Sequence, residues 1–351
     1  MFSLTTTHLR FICEATTPLR LEVENFRAGS NLRGALGQVM TRTACSASPC
    51  AGDWNDPAHT ATCPVHWLLA ANEKPGQERR GYAIVPPQRE ISPERLAAHN
   101  LSRGDIPSQV PYEPGERFEF GITLFGHALQ FLPYFVLAVP EMGRAGVGAG
   151  RGKFALKSVW AFSPLDDACE CLLAENDTLV HTPTLTLNHA RVVAAAERLM
   201  GNVEIRFLTP MRLIANEELL KAPSFATLFA RLLKRLDDLE MQHGGGNRRG
   251  TDEVQTLHDL AKQVQPIETE TRWVEVWSGS TRRGTPSPMS GFVGRAVYAA
   301  APEVWRALLP WLVWGQLAQV GKDTVKGNGV IAINRAIGQS VNQATGGLAP
   351  D

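Results

Sequence analysis

Two segments of this chain repeat one pattern, in which a basic, glycine-rich stretch leads into a strand-like run. The first covers residues 142–162 and the second covers residues 321–333. Each follows an apolar, helix-forming stretch, and alternating apolar and polar residues elsewhere in both halves predict strands. The repetition predicts two related α+β units. Each unit is expected to have a β-α-β-β-α-β arrangement, with helices on one face of an antiparallel sheet.

The length of 351 residues accommodates two domains of ordinary size. We expect an N-terminal domain over residues 1–165, with a Cys/His-containing insertion at about 45–115. A C-terminal domain with the second glycine-rich loop is expected over 171–335. The polar residues 336–351 are expected to be a disordered tail.

Three helix boundaries are predicted from local signals. Ser30 has the residue type of an N-cap for the first helix. An apolar stretch over 128–139 predicts another helix, although Pro133 lies inside it. The last helix is expected to begin at Pro302 and to be kinked or broken at Pro310, because proline removes a backbone donor.

The second glycine-rich loop combines three glycines with two lysines. Glycine tolerates positive φ and lets a backbone approach a ligand closely, and successive backbone N–H groups can form an anion-binding concavity. The spacing matches neither common nucleotide-binding fingerprint, so a polyanion crossing the loop is the favoured ligand. The candidate binding residues in this loop are Gly321, Lys322, Lys326, Gly327 and Gly329.

Charge is balanced overall but unevenly distributed. The chain has 35 basic and 35 acidic residues, yet residues 279–351 contain seven basic and three acidic side chains, and residues 142–164 contain no acid. Such local excesses favour an anion site, although solvated loops would have the same composition. The further candidate contacts are Arg144, Arg151, Lys153, Arg282 and Arg283.

The first ten residues have no apolar secretory core, and the apolar runs are shorter than a membrane span. We therefore expect a cytoplasmic protein that does not bind membranes. In that compartment the six cysteines are expected to be thiols or metal ligands rather than disulfides.

A cluster of cysteines and histidines follows the first predicted helix. Cys45, Cys50, Cys63 and His66 offer four ligands within 22 residues, a set that suits one structural, tetrahedral zinc ion. His59 is a competing ligand. Free thiols remain an equal alternative, and an iron–sulfur cluster is disfavoured because its ligands are mainly cysteines.

Several motifs, in order along residues 8–333, resemble those of one family. They are the segments 31–37 (NLRGALG), 120–126 (FGITLFG), 146–152 (GVGAGRG), 205–213 (IRFLTPMRL) and 291–294 (GFVG), followed by the second glycine-rich loop. Together they resemble the CRISPR-associated endoribonuclease that processes precursor CRISPR RNA. This enzyme is a member of the repeat-associated mysterious protein (RAMP) superfamily.

The resemblance implies two tandem ferredoxin-like, RNA-recognition-type domains and a glycine-rich loop that contacts RNA. It also implies metal-independent cleavage of the CRISPR repeat. A ribose 2′-hydroxyl attacks the adjacent phosphate, leaving a 2′,3′-cyclic phosphate, and the mature guide RNA is retained. The implied partners are CRISPR repeat RNA and the subunits of an interference complex. Any bound metal would then be structural.

The usual catalytic histidines of this family are missing here. Residues 31–44 contain no histidine, and Gln319 precedes the Val-Gly-Lys sequence where relatives often have histidine. His127 is the catalytic candidate, although it also suits packing at the start of a helix. A non-cleaving RNA-binding scaffold is therefore an alternative, and a zinc-stabilised module without an RNA role is a third.

Overall fold

The computed structural model describes residues 2–45, 59, 63–69, 80–89, 110–215, 217–278 and 287–336. Within these residues the chain forms two principal antiparallel sheets, one from each half. The predicted tail at 336–351 lies outside the described residues except for Ala336, and much of the predicted insertion does as well.

The first sheet has the strand order β2-β3-β1-β4-β5. Its first four strands have the order of a ferredoxin-like unit, with helices α1 and α3 as the two connections. The elements of this half are β1 (Thr6–Ala15), α1 (Ala28–Thr43), α2 (Pro64–Leu69), β2 (Tyr82–Val85), β3 (Arg117–Phe125), a 3₁₀ helix (Gly126–Phe131), α3 (Leu132–Ala145), β4 (Phe154–Phe162) and β5 (Cys169–Leu173).

The second sheet has the strand order β13-β6-β12-β9, which repeats the ferredoxin-like order of the first. The predicted α+β fold with two tandem ferredoxin-like units is therefore confirmed. The elements are α4 (His189–Glu197), β6 (Val203–Met211), β7 (Leu213–Ala215), β8 (Glu218–Leu220), α5 (Phe225–His243), α6 (Thr251–Ala261), β9 (Gln265–Val274), β10 (Trp277–Ser278), β11 (Ser287–Pro288), β12 (Gly291–Ala299), α7 (Pro302–Ala318), a 3₁₀ helix (Thr324–Lys326) and β13 (Ile331–Arg335).

Helix α5 forms because its apolar residues recur at helical spacing and its first turn is capped. Leu228, Leu232 and Leu236 are fully buried, and the Ser224 hydroxyl accepts a hydrogen bond from the Thr227 N–H at 3.5 Å. None of the described helices combines the length and the apolar character needed to cross a bilayer.

Buried polar side chains connect the two halves. The carboxylate of Glu240, near the end of α5, accepts hydrogen bonds from the Leu4 N–H at 2.6 Å and the Ser3 hydroxyl at 2.8 Å. The Gln319 side-chain amide donates to the Ile84 carbonyl of β2 at 2.7 Å. Because unpaired buried polar groups are costly, these bonds fix how the second half sits against the first sheet.

Two of the three predicted helix boundaries require correction. Ser30 does not cap α1, because the helix already begins at Ala28. The stretch predicted as one helix over 128–139 is a 3₁₀ turn followed by α3, with Pro133 in the first turn, where its missing N–H costs nothing. Helix α7 begins at Pro302, as predicted, and continues through Pro310 without a break.

Two further elements fall differently from their predicted places. Helix α3 continues to Ala145, so Arg144 lies on the helix rather than in the glycine-rich loop. Strand β5, which includes Cys171, pairs with β4 in the first sheet, although the second domain was expected to begin at residue 171.

Candidate functional site

The second glycine-rich loop is a compact turn between α7 and β13. Its base is closed by a 2.9 Å hydrogen bond from the Val320 N–H to the Gly329 carbonyl. Gly329 has φ +75°, and a Cβ atom there would overlap the backbone of Val320. Only glycine fits this close approach, so the loop conformation depends on Gly329.

The loop packs against the first unit at two points. A Cβ atom on Gly29, in the first turn of α1, would overlap the carbonyl oxygen of Lys326, and one on Gly327 would lie 3.0 Å from Cδ of Pro86. Residues almost 300 positions apart in sequence are therefore in backbone contact. The N-terminal end of α1, which carries a partial positive charge, lies beside the loop.

The two loop lysines have different surroundings. The Lys326 ammonium lies 2.9 Å from the Asp323 carboxylate and donates to the Ser278 hydroxyl at 3.4 Å. Lys322 is exposed. Lys326 is thus positioned by its neighbours, whereas Lys322 extends into solvent, where it can reach a phosphate.

The first glycine-rich loop packs against the segment that leads into α1. A Cβ atom on Gly152 would lie 2.5 Å from Cα of Leu19, and one on Gly148 would overlap the carbonyl oxygen of Arg20. Both glycine-rich loops therefore contact residues 18–29. This convergence is the candidate functional site, since it brings basic residues from both halves to one segment.

The predicted basic residues of the first loop are partly available for a ligand. Arg151 and Lys153 are exposed, while Arg144 forms an ion pair with Glu141 on α3. Arg282 and Arg283 lie outside the described residues. Screening in water makes such exposed pairs weak, so the Arg144 ion pair does not prevent a phosphate from competing.

Sequence reasoning missed two residues beside the site. Arg33 lies one helical turn beyond Gly29 on the same face of α1, and its buried Nε has no hydrogen-bond partner within the part of the chain that the structure describes. Trp277 is 54% exposed and adjoins Ser278, the contact of Lys326. A tryptophan between charged segments was the sequence signal available for a stacking surface.

A cleft of about 520 Å³ adjoins the loop. The cleft is lined by Pro86, which contacts the loop, and by Val330, which follows the loop in sequence. His8, Arg10 and Phe162 also line the cleft. The Arg10 guanidinium lies 3.6 Å from the centre of the Phe162 ring. The cleft thus offers an aromatic ring, a cation and an imidazole, and these groups are suited to single-stranded nucleic acid.

His8 in this cleft is neutral near pH 7. Its Nδ1 lies 2.9 Å from the Thr123 hydroxyl. Loss of solvent around the ring, and secondarily the positive charge of Arg10, lower the pKa of His8 from 6.5 to about 4. A neutral imidazole can accept one hydrogen bond and donate another, but it cannot serve as an acid.

The other histidines that the sequence singled out lie elsewhere. His127 is exposed beyond the Phe125 end of β3, whereas the loop contacts Pro86 at the opposite end of β2, about 15 Å away by strand length. His189 stacks on Trp311 at 4.7 Å and accepts a hydrogen bond from Trp314. The structure does not bring either residue to the loop.

The Cys/His cluster lies at the other end of α1. Cys45 Sγ is 3.6 Å from His59 Nε2 and 3.7 Å from Cys63 Sγ. Cys50 lies outside the described residues, and His66 is not part of this group. Two thiols and one imidazole are a donor set that fits zinc.

Family models match both halves of the chain. One model, described as an N-terminal domain, matches residues 4–185, and another, described as the CRISPR-associated endoribonuclease Cas6, matches residues 205–331. No curated protein matches the chain.

Solved structures share the fold at low sequence identity. Cas6 from Thermus thermophilus is 14% identical with a TM-score of 0.53, over 94% of this chain and 99% of that one. A Cas6 product complex is 14% identical with a TM-score of 0.51, over 94% of this chain and 99% of that one. A chain of a partial Cas6–RT–Cas1–Cas2 complex is 12% identical with a TM-score of 0.53, over 96% of this chain and 48% of that one.

Two ferredoxin-like units in tandem, closed by a basic glycine-rich loop before the last strand, form the fold that the solved Cas6 structures share. The match of residues 205–331 to the Cas6 endoribonuclease model, together with this shared fold, supports a CRISPR-associated RNA-processing protein.

Proposed function

We propose that the protein binds CRISPR repeat RNA where its two glycine-rich loops converge on residues 18–29, and cleaves precursor CRISPR RNA there. The contact between Gly29 and the Lys326 carbonyl carries the proposal, because it joins the basic loop to the N-terminal end of α1. A helix N-terminus and nearby lysines both favour a phosphate. Lys322, Lys326 and Arg33 would supply the positive charge.

RNA would extend from this point into the adjoining cleft. Unpaired bases stack on aromatic rings and on guanidinium planes, and the Arg10–Phe162 pair offers both. Trp277 offers a second stacking surface on the Ser278 side of the loop. Backbone contacts at the loops would supply most of the affinity, and these rings would hold single-stranded nucleotides.

The cleavage we propose needs no metal. A ribose 2′-hydroxyl attacks the adjacent phosphorus, the bond from phosphorus to the 5′-oxygen breaks, and a 2′,3′-cyclic phosphate and a 5′-hydroxyl form. A base takes the 2′-hydroxyl proton and an acid supplies a proton to the leaving oxygen. Lys322, Lys326 and Arg33 would stabilise the negative charge that develops on the phosphate oxygens.

Cleavage is expected to be slow. Well-tuned acid–base groups contribute about 10²–10⁴-fold to such reactions. Gln319 is buried, with its side chain bonded to Ile84, rather than directed at the loop. His8 is unprotonated at neutral pH, and its pKa of about 4 makes it a weak base. Transition-state charge stabilisation would therefore carry most of the catalysis.

The second candidate function is a guide-RNA-binding scaffold that does not cleave. The burial of Gln319 at the position where relatives often have histidine favours it. In either function the protein would retain the guide RNA and pass it to other CRISPR subunits. Support for such assembly comes from the Cas6 fold within the Cas6–RT–Cas1–Cas2 complex.

Incubation with repeat RNA in EDTA tests these proposals. We expect one specific cut, a 5′ product whose terminal phosphate resists phosphatase until the 2′,3′-cyclic phosphate is opened, and a 3′ product that begins with a 5′-hydroxyl. A substrate with a 2′-deoxyribose at the cut site should bind but stay intact. Tight binding without a cut would refute the enzyme and support the scaffold. Absence of binding even at low salt would refute both.

A further inference from the structure

We propose that Cys45, His59 and Cys63 bind one structural zinc ion that holds the C-terminal end of α1 against α2. All three potential ligand atoms lie within 4.8 Å of one another. Cys45 follows the α1 C-cap residue Ala44, and Cys63 immediately precedes α2. The site shares no residue with the RNA contacts proposed above and lies at the opposite end of α1 from Gly29.

The distances match those around a zinc ion. With Zn–S bonds near 2.3 Å and tetrahedral angles, two thiolate sulfurs should be separated by about 3.8 Å. A sulfur and an imidazole nitrogen should be separated by about 3.6 Å. The observed separations are 3.7 Å for the Cys45 and Cys63 sulfurs and 3.6 Å for Cys45 Sγ to His59 Nε2.

Burial also favours a metal over reactive thiols. Cys45 is 8% exposed and Cys63 is 1% exposed, and neither forms a disulfide within the described residues. Their sulfur separation is far longer than the roughly 2.0 Å of a disulfide. Two thiolates and one imidazole match zinc better than a hard cation, which prefers oxygen ligands.

The proposed ion would act through α1 on the candidate RNA site. The end of α1 adjoining Cys45 is fixed by the metal, and the other end contacts the glycine-rich loop at Gly29. The α2 side is held by buried Val65, Leu68 and Leu69. Zinc would therefore fix the position of α1, and with it the position of the loop contact.

Metal analysis of the full-length protein, purified without chelator, tests the site. We expect about one zinc per chain and, after exchange with Co²⁺, the absorption bands of a tetrahedral thiolate site. Cys45→Ser, Cys63→Ser and His59→Gln should each lower zinc affinity by at least about tenfold. Cys169→Ser, which changes an exposed cysteine on β5, should keep the metal.

Two further measurements remain informative if a variant fails to fold. On wild-type protein, chelation of zinc should raise amide hydrogen exchange over the last turn of α1. His66→Gln should keep the ion. Wild-type protein without stoichiometric zinc and without thiolate–cobalt bands would overturn the proposal. Loss of zinc in the His66 variant but not in the His59 variant would overturn the ligand assignment. Neither result depends on RNA cleavage.

Discussion

Gly29 and Lys326 are in direct backbone contact, with the Lys326 carbonyl oxygen occupying the space where a side chain at residue 29 would begin. Gly29→Ala should therefore displace the loop, lower the free energy of unfolding by about 1–3 kcal/mol and weaken RNA binding. Urea unfolding and RNA titration measure the two effects.

Gly34→Ala is the matched control in the same helix. Nothing lies within 4 Å of a Cβ atom at Gly34, so alanine should raise the free energy of unfolding by about 0.5–1 kcal/mol. RNA affinity should be unchanged. If Gly29→Ala and Gly34→Ala change the free energy of unfolding and the RNA affinity equally, the specific contact between α1 and the loop is contradicted.

Local patterns predicted much of the fold, because alternation and capping are local properties. Strands in both halves were predicted from alternation, and the repeated helix–loop–strand pattern predicted two related units. The contact between Gly29 and Lys326 could not be predicted, since no local signal connects residues so far apart. Arg33 was missed because a charged residue in an amphipathic helix usually lies on the solvated face.

The metal ligands illustrate a different limit. Spacing alone favoured His66, which follows Cys63 by three residues, and left His59 as a competitor. The structure groups His59 with the two cysteines. Ligand choice depends on how the chain returns to the end of α1, and sequence spacing does not encode that path.

Trp277 should contribute to RNA affinity without contributing charge. Trp277→Ala is expected to weaken binding of single-stranded repeat RNA by about 1–3 kcal/mol, the usual contribution of one stacked base. The slope of affinity against salt should stay the same. Titrations at several salt concentrations measure both quantities.

Ile267→Ala is a suitable control, since Ile267 is exposed to the same extent as Trp277 but lies on strand β9. It should leave RNA affinity unchanged. If Trp277→Ala binds as tightly as wild type, the tryptophan does not stack on RNA.

His8 should make stability depend on pH. Its pKa is about 4 in the folded protein and 6.5 when unperturbed, so the unfolded chain binds more protons between these values. The stabilising contribution is present above pH 6.5 and is lost as the pH falls towards 4. The free energy of unfolding, measured with denaturant, should therefore fall less steeply from pH 7 to pH 4 for His8→Gln than for wild type.

His127→Gln is the control for that experiment, because His127 is exposed and does not line the cleft. Its unfolding should follow the wild-type pH dependence. If the free energy of unfolding has the same slope against pH in wild type and His8→Gln, His8 is not held neutral in the cleft.

The salt dependence of RNA binding tests the central claim most directly. Each phosphate contact on single-stranded RNA contributes about 0.7 to the slope of log affinity against log salt. The double variant Lys322→Ala/Lys326→Ala should bind repeat RNA more weakly and reduce that slope by up to about 1.4. The distal control Lys262→Ala should match wild type. A double variant with the wild-type slope would contradict phosphate binding at the glycine-rich loop.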